Sequence, residues 1–139
     1  MANQADFDWT SPFWQSPTRI TLVLPDSADG AGVPESISVL RVTDTEDLAP
    51  ILDRLLDGGR TRVLCEGGGR LYASLARQEL IDELFYTVTP WSLGDDAVPA
   101  APGPLPAQRL SLISAEVADD GDILLRYRTP SGRCWPLGE

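Results

Sequence analysis

Arg62-Val-Leu-Cys-Glu-Gly-Gly-Gly-Arg-Leu-Tyr-Ala-Ser-Leu-Ala-Arg-Gln-Glu-Leu-Ile-Asp-Glu-Leu84 decides the fold, because a short apolar run there meets three glycines and then turns helical. Val63, Leu64 and Cys65 lack polar alternation, which predicts a central strand covered on both faces. Glu66 ends the run. Gly67, Gly68 and Gly69 carry no Cβ and tolerate positive φ, so backbone N–H groups there can come close to a ligand. From Arg70 onward Leu71, Leu75 and Ala76, with Tyr72 beside them, form one stripe of a short helix. A helix starting at the glycines turns unpaired N–H groups and the positive end of its dipole toward the loop, which favours an anion and above all phosphate. The same pattern describes an ordinary tight turn, and three glycines alone do not separate the two.

The wording of the stretch goes further. Val-Leu-Cys-Glu-Gly-Gly-Gly-Arg-Leu is followed in order by Ser-Leu, Leu-Ile-Asp-Glu-Leu and Thr-Val-Thr-Pro, with Leu-Gly behind. This string resembles the reductase half of the bifunctional riboflavin-biosynthesis deaminase-reductase, part of a broader family with the dihydrofolate reductase fold. The likeness covers residues 60–94 well and residues 108–128 loosely. It implies an α/β fold with a mixed sheet flanked by helices and ending in an antiparallel hairpin. It also implies NADPH as cofactor and a small-molecule substrate, the pyrimidine of 5-amino-6-(5-phosphoribosylamino)uracil reductase being the best-known case.

Carried over residue by residue, the resemblance brings Gly67 and Gly68 to the pyrophosphate, with Gly69 and Arg70 completing the cofactor loop. Glu66 then lies near the nicotinamide or the substrate as the candidate catalytic residue. Asp82 and Glu83 match the family's Leu-x-Asp-Glu-Leu string and start the next strand. Gly94 matches a glycine in the loop after Pro90, while Asp95 stands where a second glycine is common. The family's opening Ser-Leu-Asp-Gly motif and its glycine-threonine loop have no counterpart before the first strand. Ser27-Ala28-Asp29-Gly30 resembles the first motif faintly, but its spacing suits a turn. The chain thus looks like the second half of the fold, truncated at its N-terminal side. A second chain, identical in a homo-oligomer or a complementary reductase half, is expected to complete the site. Two alternatives remain open: a non-catalytic binding or structural protein, and an enzyme of another class that uses the old cleft with a buried Glu66 as acid or base.

Composition narrows the field. At 139 residues the chain is expected to form one domain. Apolar residues at 42% suit a globular protein, and no run is long enough to cross a bilayer. The start has neither a basic nor an apolar leader region, so a cytoplasmic location is expected. Eleven basic against 21 acidic residues give a formal charge of −10, which repels nucleic acid. A phosphorylated cofactor therefore needs a local cluster, and Arg60, Arg62 and Arg70 are the candidates, although the first two equally read as solvated charges. Cys65 and Cys134 have no metal-ligand spacing, and Cys65 reads as a small buried hydrophobe. With no histidine present, imidazole zinc sites and Ser-His-Asp triads are excluded and no metal site is expected.

Along the chain, residues 1–18 form an irregular aromatic arm whose Phe7, Trp9, Phe13 and Trp14 are expected to lie on the domain or on a partner, and residues 19–139 form the reductase-like domain. Ile20, Leu22 and Leu24 mark one strand, and Ile37, Val39, Leu40 and Val42 a second. Leu48, Ile51, Leu52, Leu55 and Leu56 recur at helical spacing, with Thr43 or Asp44 as cap, Glu46 and Asp47 in the first turn and Gly58 and Gly59 at the end. Followed by residues 63–65, this predicts a βαβ unit. Residues 84–88 form a strand ended by Pro90. Trp91 is a core plug or a ligand platform. Residues 97–107 form a proline-rich loop, and residues 110–117 and 123–128 a hairpin around Ala-Asp-Asp-Gly-Asp.

Overall fold

Strand β1 (Thr21–Pro25) runs parallel to β2 (Ser38–Val42), with Thr21 opposite Ser38 and Pro25 opposite Val42. The computed structural model describes residues 7–57, 59, 61–92, 94 and 99–132. It divides into two compact units, residues 1–58 and 59–139. In the first, the long return from β1 to β2 that parallel pairing requires is organised by one side chain. Arg41 on β2 donates to the carbonyls of Pro25 at 2.9 Å and Ala28 at 2.5 Å. Gly30 lies so close to this guanidinium that a Cβ would come within 2.6 Å of it. Residues 27–30 are therefore a turn wrapped on Arg41, as their spacing suggests.

Helix α1 (Ala49–Leu56) buries Ile51, and the apolar core of this unit includes Leu24, Ile37, Val42 and Leu48. Its start differs from expectation. Leu48 occupies the cap position without a side-chain cap bond, and Pro50 sits in the first turn, where its missing N–H costs nothing. Thr43 and Asp44 instead shape the preceding loop: Thr43 Oγ1 donates to Asp26 at 2.9 Å, and Asp44 accepts the Glu46 N–H at 2.7 Å. Gly59 lies just beyond the helix at φ 79°, while Gly58 falls outside the described residues. The aromatic arm forms a 3-10 turn over Pro12–Gln15, and its rings pack on one another, Phe7 against Trp9 and Trp14, and Trp14 against Trp9 and Phe13. Thr10 donates from its hydroxyl and its amide to Asp8, holding that carboxyl below its usual pKa.

The second unit holds helix α2 (Gly69–Arg77) and an antiparallel sheet in the order β3-β5-β4, with β3 at Glu83–Val88, β4 at Ser111–Val117 and β5 at Ile123–Arg128. The closing hairpin stands where the alternation and turn chemistry put it. Ala118 and Asp122 close its loop through a 2.8 Å backbone bond, and Gly121 takes φ 88°. Glu83 begins β3 and accepts three bonds from two nitrogens of Arg126, the closest at 2.7 Å, with both side chains nearly excluded from water. Phe85 covers the guanidinium, 5.6 Å from its ring centre.

Residues 63–65 depart from the prediction. They form no strand, Val63 and Leu64 are 46% and 75% exposed, and Cys65 is exposed rather than buried. A strand forms only where a neighbour pairs its backbone groups, and among the described residues no strand pairs with this segment. The βαβ unit through α1 is therefore not closed, and the α/β architecture comprises a parallel pair and an antiparallel trio. Trp91, 78% exposed in the loop past β3, is no core plug. No described helix is long and apolar enough to cross a membrane.

Candidate functional site

Helix α2 starts where the glycines put it. Gly68 is the cap residue, extended at φ −65° and ψ 175°, with no side chain capping the helix. Its carbonyl accepts from Leu71 at 3.0 Å and Tyr72 at 3.2 Å, while among the described residues the N–H groups of Gly69 and Arg70 donate to no backbone carbonyl. Leu75, Ala73 and Ala76 are buried and anchor the helix.

The three glycines differ in what their missing side chains leave room for. A Cβ on Gly67 would lie 2.6 Å from the Leu71 side chain, and one on Gly69 would lie 2.5 Å from the Ala100 carbonyl oxygen. A Cβ on Gly68 would meet nothing within 4 Å. Gly69 is thus required by the proline-rich segment, whose backbone rests on it and whose Pro102 carbonyl takes a 3.3 Å bond from Arg77. Sequence alone marks that segment as a loop, and only the fold brings it to the glycines. Glu66, Gly67, Gly68 and Arg70 are exposed. An exposed Glu66 is not the buried acid or base of the second alternative, because among the described residues nothing shields it from solvent. Arg62 is exposed as well, and Arg60, Asp95 and Cys134 lie outside the described residues.

One pair was not anticipated. The Tyr72 hydroxyl on α2 lies 3.0 Å from the Tyr86 hydroxyl on β3, and the Tyr127 ring packs edge-on against Tyr86. Burial, then the bond and charge of Tyr72, push the Tyr86 phenol up to about 12. Its only signal in the sequence is a tyrosine on the α2 stripe and another on the following strand, which becomes a contact once the helix lies on the sheet. Among the described residues no cluster of histidine, cysteine and carboxylates could hold a metal ion.

Residues 7–124 match the RibD C-terminal domain family. The chain belongs to that family. The RibD match begins at Phe7 and so includes the aromatic arm, beyond the stretch where the motifs are legible. The fold is similar to a pyrimidine reductase-like protein from Corynebacterium diphtheriae, at 19% identity and a TM-score of 0.63, over 78% of this chain and 49% of that one. It is also similar to RibD from Acinetobacter baumannii, at 22% identity and a TM-score of 0.57, over 77% of this chain and 37% of that one. The chain spans half or less of the length of these two relatives. No curated protein matches it.

Proposed function

We propose that this RibD C-terminal domain supplies the cofactor-holding part of a cytoplasmic, NADPH-dependent pyrimidine reductase of the riboflavin-biosynthesis type, 5-amino-6-(5-phosphoribosylamino)uracil reductase-like, and that a second chain completes the site. The observation that carries this reading is the open space beside Gly68, next to two helix-start N–H groups that among the described residues have no backbone acceptor. NADPH, when bound, supplies the hydride, and the protein's task is to hold and orient it. Gly69 and Arg70 donate their N–H groups to a pyrophosphate oxygen, and the uncapped helix start adds its dipole. The Arg70 guanidinium offsets locally the −10 charge that would otherwise repel a phosphorylated cofactor. Glu66, the last residue before the glycines, contacts the nicotinamide or the substrate.

A thermal melt with and without NADPH tests the reading. A cofactor at about 100 times its Kd stabilises the folded chain by about 2.7 kcal/mol, a shift of several degrees. Gly68→Asp should remove the shift, because the aspartate still caps the helix but places a carboxylate where the phosphate belongs. No shift in the unaltered chain would defeat the cofactor assignment, and a shift that survives in Gly68→Asp would move the site elsewhere.

A further inference from the structure

Two hydroxyls meet in the second unit where two plain aromatic rings would fill the same space. Leu84, Tyr86 and Val88 alternate onto one face of β3, and the 3.0 Å contact between the Tyr72 and Tyr86 hydroxyls lays α2 on that face. Leu84 is buried there, and the Tyr127 ring stands edge-on to Tyr86. Polar tips among apolar neighbours cost free energy that phenylalanine would not.

The pair also fixes where the helix begins. Tyr72 lies at the opening of α2, its N–H bonded to the Gly68 carbonyl at 3.2 Å, and Tyr86 lies in the second half of β3. The open end of α2 therefore sits by the far end of that strand. Helical residues rise about 1.5 Å each, so the Tyr72 Cα stands about 4.5 Å beyond that of Gly69. Because helical side chains lean back toward the N-terminus, the Tyr72 phenol covers the turn that carries the Gly69 and Arg70 N–H groups.

Two hydroxyls carry two protons and share one bond, so one O–H remains to donate elsewhere. The pair is open on one side, with Tyr86 37% exposed and Tyr72 half-buried. Burial and then the bond with Tyr72 raise the Tyr86 phenol to about 12, which is what a bond donated by Tyr86 does, since bonding by the neutral form opposes ionisation. The remaining proton is then that of Tyr72, and the bond its oxygen accepts polarises it into a stronger donor. An outward O–H beside two amide N–H groups makes three donors in one place. Such a set suits an oxyanion rather than the edge of a nicotinamide or pyrimidine ring, which presents donors as well as acceptors.

We infer that the Tyr72 hydroxyl is a third donor in the phosphate seat and, with the Gly69 and Arg70 N–H groups, holds a pyrophosphate oxygen of the cofactor. The inference rests on the cofactor reading of the glycine loop and adds to it a side chain outside the glycine-arginine motif. A hydroxyl bonded to a phosphate oxygen makes a charge-assisted bond, roughly twice as strong as one between neutral groups.

The test titrates the 139-residue chain with NADPH and, separately, with inorganic pyrophosphate. Tyr72→Phe keeps the ring and removes the donor, and both dissociation constants should rise about tenfold or more. Tyr127→Phe, which removes a hydroxyl outside the pair, should leave both unchanged. A purely structural Tyr72 would instead lower the melting temperature of the unligated chain and leave the constants alone, so unchanged constants in Tyr72→Phe overturn the inference. A response limited to NADPH overturns it too, because the hydroxyl then touches another part of the cofactor. If the unaltered chain binds neither ligand, the cofactor reading fails and this inference with it, whereas NADPH binding that ignores Tyr72→Phe defeats the third donor alone.

Discussion

Residues 129–132 and residues 67–69 both use glycine at the end of a regular element, yet one place is closed and the other open. At the first, Thr129 donates its hydroxyl to the Ile81 carbonyl at 2.5 Å and its N–H to Asp82 at 3.0 Å. A Cβ on Gly132 would lie 2.1 Å from that Asp82 oxygen. At the second, a Cβ added to the cap residue would meet nothing within 4 Å, and among the described residues the next two N–H groups donate to no backbone carbonyl. Glycine in the closed turn makes room for the chain's own backbone, whereas Gly68 leaves room for something else. Space, rather than glycine count, distinguishes the two positions.

The largest effect belongs to the closed region. Arg126→Met strands the Glu83 carboxylate in a site almost without solvent, and urea unfolding should record a loss of about 3–5 kcal/mol. Adding Glu83→Leu should recover most of it, and a loss under about 1 kcal/mol would mean that water reaches the pair in solution. Gly132→Ala comes next, at about 1–3 kcal/mol, since the Asp82 backbone must move to admit a methyl group. Gly68→Asp should change stability by only a few tenths of a kcal/mol while abolishing the NADPH-dependent shift. If Gly68→Asp were as damaging as Gly132→Ala, the contrast between open and closed glycine would fail. Tyr86→Phe gives the smallest effect, visible only in alkali. Its phenol rises from 10.0 to about 12 on folding, so the neutral form is favoured in the folded chain. That contribution is complete below pH 10.0 and disappears as the pH rises through about 12. Stability measured against pH should lose this alkaline decline in the variant; an unchanged decline would assign it to another group.

Legibility in the sequence followed how local each signal was. The start of α2 is written in three adjacent glycines, and the β4–β5 hairpin in alternating residues around Asp-Asp-Gly, where Gly121 supplies the positive φ of the turn. The segment at 63–65 has the composition of a buried strand, but burial depends on flanking strands that the segment does not encode. The burial expected of Cys65 and the core-plug reading of Trp91 fail for the same reason, since apolar character does not state which surface will cover it. The cap of α1 was missed because Asp44 satisfies the Glu46 amide two residues ahead and does so outside the helix. In the candidate site, the glycines and Arg70 were visible as a motif. The distinction between Gly68 and Gly69 was not, because it depends on Ala100, distant in sequence.

That last contact bears on ancestry. The Ala100 carbonyl occupies the place where any side chain at position 69 would begin. A descendant that gave up its ligand would still be held to glycine there by its own architecture, while position 68 would be released to drift. If Gly68 seats the cofactor as proposed, position 68 would record among such descendants whether that chemistry persisted, and position 69 would be silent on the matter.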